Sequence, residues 1–161
     1  MQVRDAKPEE IERLAVLWHD AWHQAHAAIV PAELTRSLTL EGFRDRLNAA
    51  MPAVRVVGPV GEPVGFCLLR GGELHQLFVA AAELGSAAEI ALLDDAERLM
   101  WSVGVRRAWA ACAIGNHRAA RFYQTRGWSF AGTMVSQVET PAGPFQLTVW
   151  RYEKSLRPRA A

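Results

Sequence analysis

Asn116 and Tyr123 lie seven residues apart in IGNHRAARFYQTRGW (114–128), offering an amide and a phenol from one short helical segment. Asn116 suits an N-cap, because its side chain can accept from the first free backbone amides. Ala119, Phe122 and Tyr123, three and four apart, share one face. Gly127 permits a left-handed exit before Trp128. A capped helix with an aromatic core face accounts for this pattern as well as a site does. A second segment, VAAAELGSAAEIALLDDAERLM (79–100), has the layout of a strand, a phosphate-cradling loop and a helix. It carries only Gly85 where such loops hold two or three glycines, and Glu89 sits just inside. An anion-binding turn, a damaged one and the start of a core helix all fit. His19, His23 and His26 line one face of HDAWHQAH (19–26), a spacing metal ligands would use. Asp20 replaces the glutamate of a zinc-protease helix, and Trp18 and Trp22 opposite mark a core helix, so no metal is expected. Cys112 stands in an apolar strand with no base nearby in sequence, which argues against a nucleophile.

The elements that must hold these residues follow from periodicity. QVRDA (2–6) reads as a strand, and Pro8 with Glu9 and Glu10 opens a helix over 8–27. Leu34, Leu38, Phe43 and Leu47 mark one or two shorter helices, the second over 39–51. AVRVVG (53–58), VGFCLLR (64–70) and ELHQLFVA (73–80) form a meander turned by Gly71-Gly72. Ile90, Leu93, Ala96, Leu99 and Met100 give helical spacing up to Gly104. RRAWAACA (106–113) is a strand, residues 117–126 a helix, and two last strands form a hairpin through Pro141 to Pro144. The order predicts an α/β fold with a mixed sheet and helices on both faces. At 161 residues, 50% hydrophobic and with a net charge of +1, the chain suits one domain over 1–156 with a frayed tail, 157–161. That charge excludes nucleic acid or a membrane as a main partner. MQVRDAKPEE is too polar for a signal peptide, and Cys67 and Cys112 read as buried free thiols, so a cytoplasmic protein is expected.

The pattern N-x-R-A-x-x-F-Y-x-x-x-G-W, preceded by AWAACA, resembles the last signature of the GNAT N-acetyltransferase superfamily. The resemblance extends over nearly the whole chain. It implies a GNAT fold, with a mostly antiparallel sheet of about seven strands. It implies acetyl-CoA as cosubstrate and direct attack by a primary amine of a small molecule or peptide in a ternary complex. A homodimer is compatible with it. Tyr123 takes the place of the general acid that reaches the sulfur, and Asn116 that of the residue bonding the pantetheine arm. Ala119 and Phe122 would flank the cofactor. The backbone of Leu77, Phe78 and Val79 would pair with pantetheine and polarise the thioester carbonyl. Glu73 and His75, on one face by alternation, occupy the place of the proton relay. Trp22 and His26 border the acceptor pocket.

The same resemblance places the pyrophosphate on Leu84, Gly85, Ser86, Ala87, Ala88 and Glu89. Members usually read V-x-P-x-x-R/Q-G-x-G-x-G/A there; Leu84, Ala87 and Glu89 depart from that pattern. Ala87 would be strained if the turn needs positive φ. A Glu89 carboxylate about 5 Å from a phosphate charge costs roughly 0.8 kcal/mol in water. An outward rotamer would reduce that, and an acid in the first turn also stabilises the helix, partly substituting for the anion. Two functions follow: an acetyltransferase, or a catalytically impaired protein of this fold serving as a binding or regulatory module.

Overall fold

A computed structural model describes residues 1–158. The chain runs β1 (Val3–Asp5), a 3-10 turn (Pro8–Glu10), α1 (Ile11–His26), α2 (Ala32–Ser37) and α3 (Leu40–Ala50). It continues through β2 (Arg55–Val57), β3 (Gly65–Arg70), β4 (Glu73–Val79) and α4 (Ala87–Ser102). β5 (Arg107–Ala113), α5 (His117–Thr125), β6 (Ser129–Thr140) and β7 (Gly143–Ser155) complete it. The predicted elements and their order are observed. Seven strands form one sheet in the order β1-β2-β3-β4-β5-β7-β6. Every pairing is antiparallel except β4 with β5.

Successive strand residues point to opposite faces, so neighbouring apolar residues feed two cores. Val57 and Cys67 join Leu92, Leu93, Met100, Tyr123 and Trp128 under α4 and α5. Val56 and Phe66 join Leu14, Trp18, Phe43 and Leu47 under α1 and α3. Helices therefore cover both faces. Cys67 and Cys112 are buried and free. Among the described residues, no helix is long and apolar enough to cross a membrane. Arg157 and Pro158 of the tail are exposed, and 159–161 lie outside the described residues.

Two local departures shape the site. The buried face of α4 is Ala88, Glu89, Leu92, Leu93, Ala96 and Met100, with Asp95 drawn in beside Arg55 and Arg98; Ile90 and Leu99 are only half-buried. α4 sits close to the sheet because Gly65 leaves room. A Cβ there would lie 2.7 Å from Val79 Cγ1 and 2.9 Å from Leu92 Cδ1. The second departure is in β4, whose register passes from Leu69↔Leu74 to Leu68↔Gln76, leaving His75 as an extra residue. This bulge resets the alternation. Leu74, Leu77 and Val79 consequently share the α4 face, and Phe78 packs on the α1 side.

Candidate active site

β4 and β5 bridge only at Glu73↔Trp109, near their first residues, where the Trp109 N–H also donates to the Gly72 carbonyl at 3.0 Å. Beyond that bridge the parallel strands separate. The wedge opens into a cavity of about 520 Å³, walled by β4 from Glu73 to Val79 and by Ala111 to Ala113 of β5. α5, the C-terminal part of α1 and the β6–β7 hairpin complete its lining. A strand edge without a sheet partner leaves backbone amides and carbonyls free for an extended ligand.

α5 presents the expected pair. Asn116 caps it, Oδ1 accepting from the Ala119 N–H at 3.2 Å. That fixes the amide orientation and leaves Nδ2 to donate into the cavity, which Asn116 lines with Ala119, Phe122 and Tyr123. Tyr123 stacks on Tyr152 and tilts against Trp128. Burial pushes its phenol above the ordinary value, helped by the nearby Cys112, Cys67 and Glu89. The hydroxyl accordingly stays protonated, the state a proton donor needs.

The turn before α4 differs most from expectation. Glu89 neither projects into solvent nor faces an open phosphate site: it is 2% exposed. Oε1 accepts from the Gly85 N–H at 2.9 Å, and Arg118 of α5 clamps both carboxylate oxygens at 3.0 Å each. In place of the outward rotamer, Glu89 forms a bidentate ion pair. Ser86 caps the helix, Oγ accepting from the Ala88 N–H at 3.2 Å, while its own N–H donates to the Glu83 carbonyl at 3.0 Å. The amides of Gly85, Ser86 and Ala88 are thus already committed. The strain expected at Ala87 is absent too. Ala87 is the first helical residue, and among the described residues no non-glycine residue has positive φ. Only Gly85, at φ +74°, uses the left-handed region in this turn. Leu84 and Glu89 line the cavity; Gly85, Ser86, Ala87 and Ala88 do not.

Trp22, His26, Glu73 and His75 all line the cavity, the His26 ring lying 6.3 Å from that of Phe78. The bulge does not separate Glu73 from His75, whose Nδ1 lies 3.5 Å from Glu73 Oε2. His75 Nε2 faces Arg70 Nη2 at 2.9 Å. A guanidinium can only donate, so Nε2 is the acceptor and its lone pair is engaged. His26 is the opposite case. Its Nδ1 meets the Trp22 carbonyl at 2.9 Å, which only accepts, so Nε2 carries the free lone pair. Burial lowers its pKa, keeping the ring neutral. The His19 and His23 rings lie tilted with centroids 4.2 Å apart, and both His23 nitrogens meet carbonyls, those of His19 and Thr35. Among the described residues, no group of three or more histidines, cysteines or carboxylates is placed to hold a metal. Burial raises the Cys112 thiol to about 11, against a nucleophilic role.

Sequence reasoning missed four residues here. Arg118 stood inside the recognised pattern but had no assigned partner. Arg70 and Arg46 converge on Glu139: Arg70 Nη2 lies 2.9 Å and Arg46 Nε 3.5 Å from its carboxylate. Only the i, i+3 and i, i+4 spacing of Glu89 to Leu92-Leu93 could have signalled that Glu89 faces inward.

No protein-family model matches the chain, and no curated protein matches it. Solved structures do. A GCN5-related N-acetyltransferase from Rhodopseudomonas palustris superposes with a TM-score of 0.74 at 22% identity, over 96% of this chain and 95% of that one. The PaiA N-acetyltransferase of Thermoplasma acidophilum, in complex with coenzyme A, gives 0.70 at 18% identity, over 96% and 99%. YncA, a putative acetyltransferase of Salmonella typhimurium with its cofactor acetyl-CoA, gives 0.70 at 17% identity, over 100% and 96%. With its splayed β4 and β5, capped α5 and near-complete coverage in each superposition, this chain has the fold of the GCN5-related N-acetyltransferases, the GNAT fold.

Proposed function

We propose that the protein is an N-acetyltransferase using acetyl-CoA and a primary amine of a small molecule or peptide. The observation that carries this is the wedge between β4 and β5, lined by Tyr123, Asn116, His26 and Glu73. When bound, acetyl-CoA supplies an activated acetyl thioester. The free edge of β4 around Leu77 to Val79 offers backbone hydrogen bonds to the pantetheine arm and an amide for the carbonyl oxygen. Asn116 Nδ2 donates to the same arm. Ala119 and Phe122 flank it. Neutral His26 accepts the amine's proton at Nε2, with Glu73 as the carboxylate that attracts the ammonium form. Tyr123, held protonated by burial, delivers its proton to the departing sulfur.

The cofactor fits unevenly. The thioester end meets an open, partly unpaired strand edge, whereas the pyrophosphate end meets Glu89. Glu89 already occupies the anion's place, so the diphosphate must displace that carboxylate from Gly85 and Arg118. This contact favours one alternative, a protein of this fold serving as a binding or regulatory module. Calorimetry with acetyl-CoA separates the two. The enzyme reading predicts saturable binding and a Tyr123→Phe variant that binds acetyl-CoA normally but turns over about 10 to 100-fold more slowly. No heat at millimolar acetyl-CoA would end that reading, and an unchanged rate would remove Tyr123 from it.

A further inference from the structure

We propose that the acceptor amine also carries a carboxylate, bound by Arg46 of α3, so that the substrate is an amino acid or a short peptide with a free C-terminus. This rests on the acetyltransferase reading of the same cavity. Arg46 lines the cavity with its side chain only 18% exposed, its guanidinium 4.5 Å above the Trp18 ring. A guanidinium has five N–H donors. Among the described residues, none of those of Arg46 makes a hydrogen bond; its nearest carboxylate oxygen, on Glu139, stands 3.5 Å from Nε. Glu139 is already engaged by Arg70 at 2.9 Å. One carboxylate thus serves two cations. Burial depresses the Arg46 pKa, Glu139 offsets part of that, and Arg70 depresses it again.

Other buried-side arginines are saturated. Arg4 holds both oxygens of Glu10 at 2.8 and 2.7 Å, and Arg55 holds both of Asp95 at 3.0 and 2.9 Å. Arg46 is left with an open planar fork facing a cavity, the geometry that receives a carboxylate through two parallel bonds. Glu73 lines the same cavity beside His75, whose Nε2 accepts from Arg70. Positive and negative corners facing one cavity suit a dipolar ligand. The carboxylate goes to Arg46, and the amine to Glu73 and the His26 lone pair.

The test compares the standard L-amino acids and a set of dipeptides, each beside its primary amide. Turnover is read as thiol release at saturating acetyl-CoA, and binding as Trp fluorescence with coenzyme A present. For at least one pair the acid should exceed its amide about 30-fold or more, the order expected for charge-assisted bonds. Arg46→Gln should bring the acid down to its amide, and Arg46→Lys should fall between. Thermal melting confirms that the variants fold, and the wild-type pairs need no variant. Acid and amide alike in every pair, or a preference that survives in Arg46→Gln, overturns the proposal. Coenzyme A calorimetry is separate: loss of that binding sinks the acetyltransferase reading. Acetylation of amines lacking a carboxylate, with no acid preferred, leaves the reading standing and removes Arg46 as acceptor site.

Discussion

The cavity lining holds two carboxylate–guanidinium pairs, and they differ in how completely they are bonded. Glu89 and Arg118 meet through two bonds of 3.0 Å, with a backbone N–H completing the carboxylate's shell. Arg46 and Glu139 meet at 3.5 Å without a hydrogen bond, and Glu139 is shared with Arg70. A closed pair stabilises the free protein and resists a ligand, because the ligand must first break it. An open pair leaves donors that only a ligand can satisfy. The molecule therefore closes the Glu89–Arg118 pair and leaves the donors of Arg46 open.

The largest test of this contrast is stability. Arg118→Ala strands the Glu89 carboxylate and should cost about 3 kcal/mol, tempered by the half-exposed position of Arg118. Arg46→Ala removes no hydrogen bond and should cost about 1 kcal/mol, mainly through the Trp18 ring. Urea denaturation decides, and equal losses would break the comparison. A third pair, Arg4 with Glu10, lies among residues outside the cavity lining and serves as a control. Hydrogen bonds from Arg4, and from the Lys7 and Gly61 amides, lower Glu10 from 4.5 to about 2. Its stabilisation should be complete above pH 4.5 and vanish as pH falls towards 2. About 2 kcal/mol should disappear across that window, after allowance for solvent screening. Glu10→Gln should flatten the dependence in acid-denaturation curves.

A smaller effect concerns binding. Glu89→Gln keeps an oxygen for the Gly85 N–H but releases Arg118 from its counter-charge, and should tighten acetyl-CoA about 10-fold by calorimetry. Unchanged affinity would show that Glu89 does not compete with the diphosphate. The smallest shift belongs to the open pair. Glu139→Gln frees Arg46 and Arg70 from their shared carboxylate and should raise affinity for a carboxylate-bearing acceptor about 3-fold, read in KM rather than kcat.

Much of the site was legible in the chain. Asn116 caps α5 as its type and position required, and Tyr123 lies on the buried side of that helix. Glu73, His75, Trp22 and His26 all line one cavity. The α4 face was misjudged because Ile90 and Leu99 match the helical period as well as Leu92 does, and hydrophobicity alone does not choose between overlapping stripes. The β4 bulge was equally hidden. A strand's sequence does not state where its partner contributes one residue fewer, so His75 read as an ordinary alternating position.

By itself the sequence determined the order of helices and strands, the cap at Asn116 and the left-handed exit at Gly127. Each depends on bonds between residues at most a few positions apart. Tertiary structure alone decided that β4 and β5 part after one bridge, that Arg118 reaches back to Glu89, and that Glu139 is divided between two arginines. Those outcomes depend on which distant elements pack together, and charge and burial only then select which carboxylate each guanidinium meets.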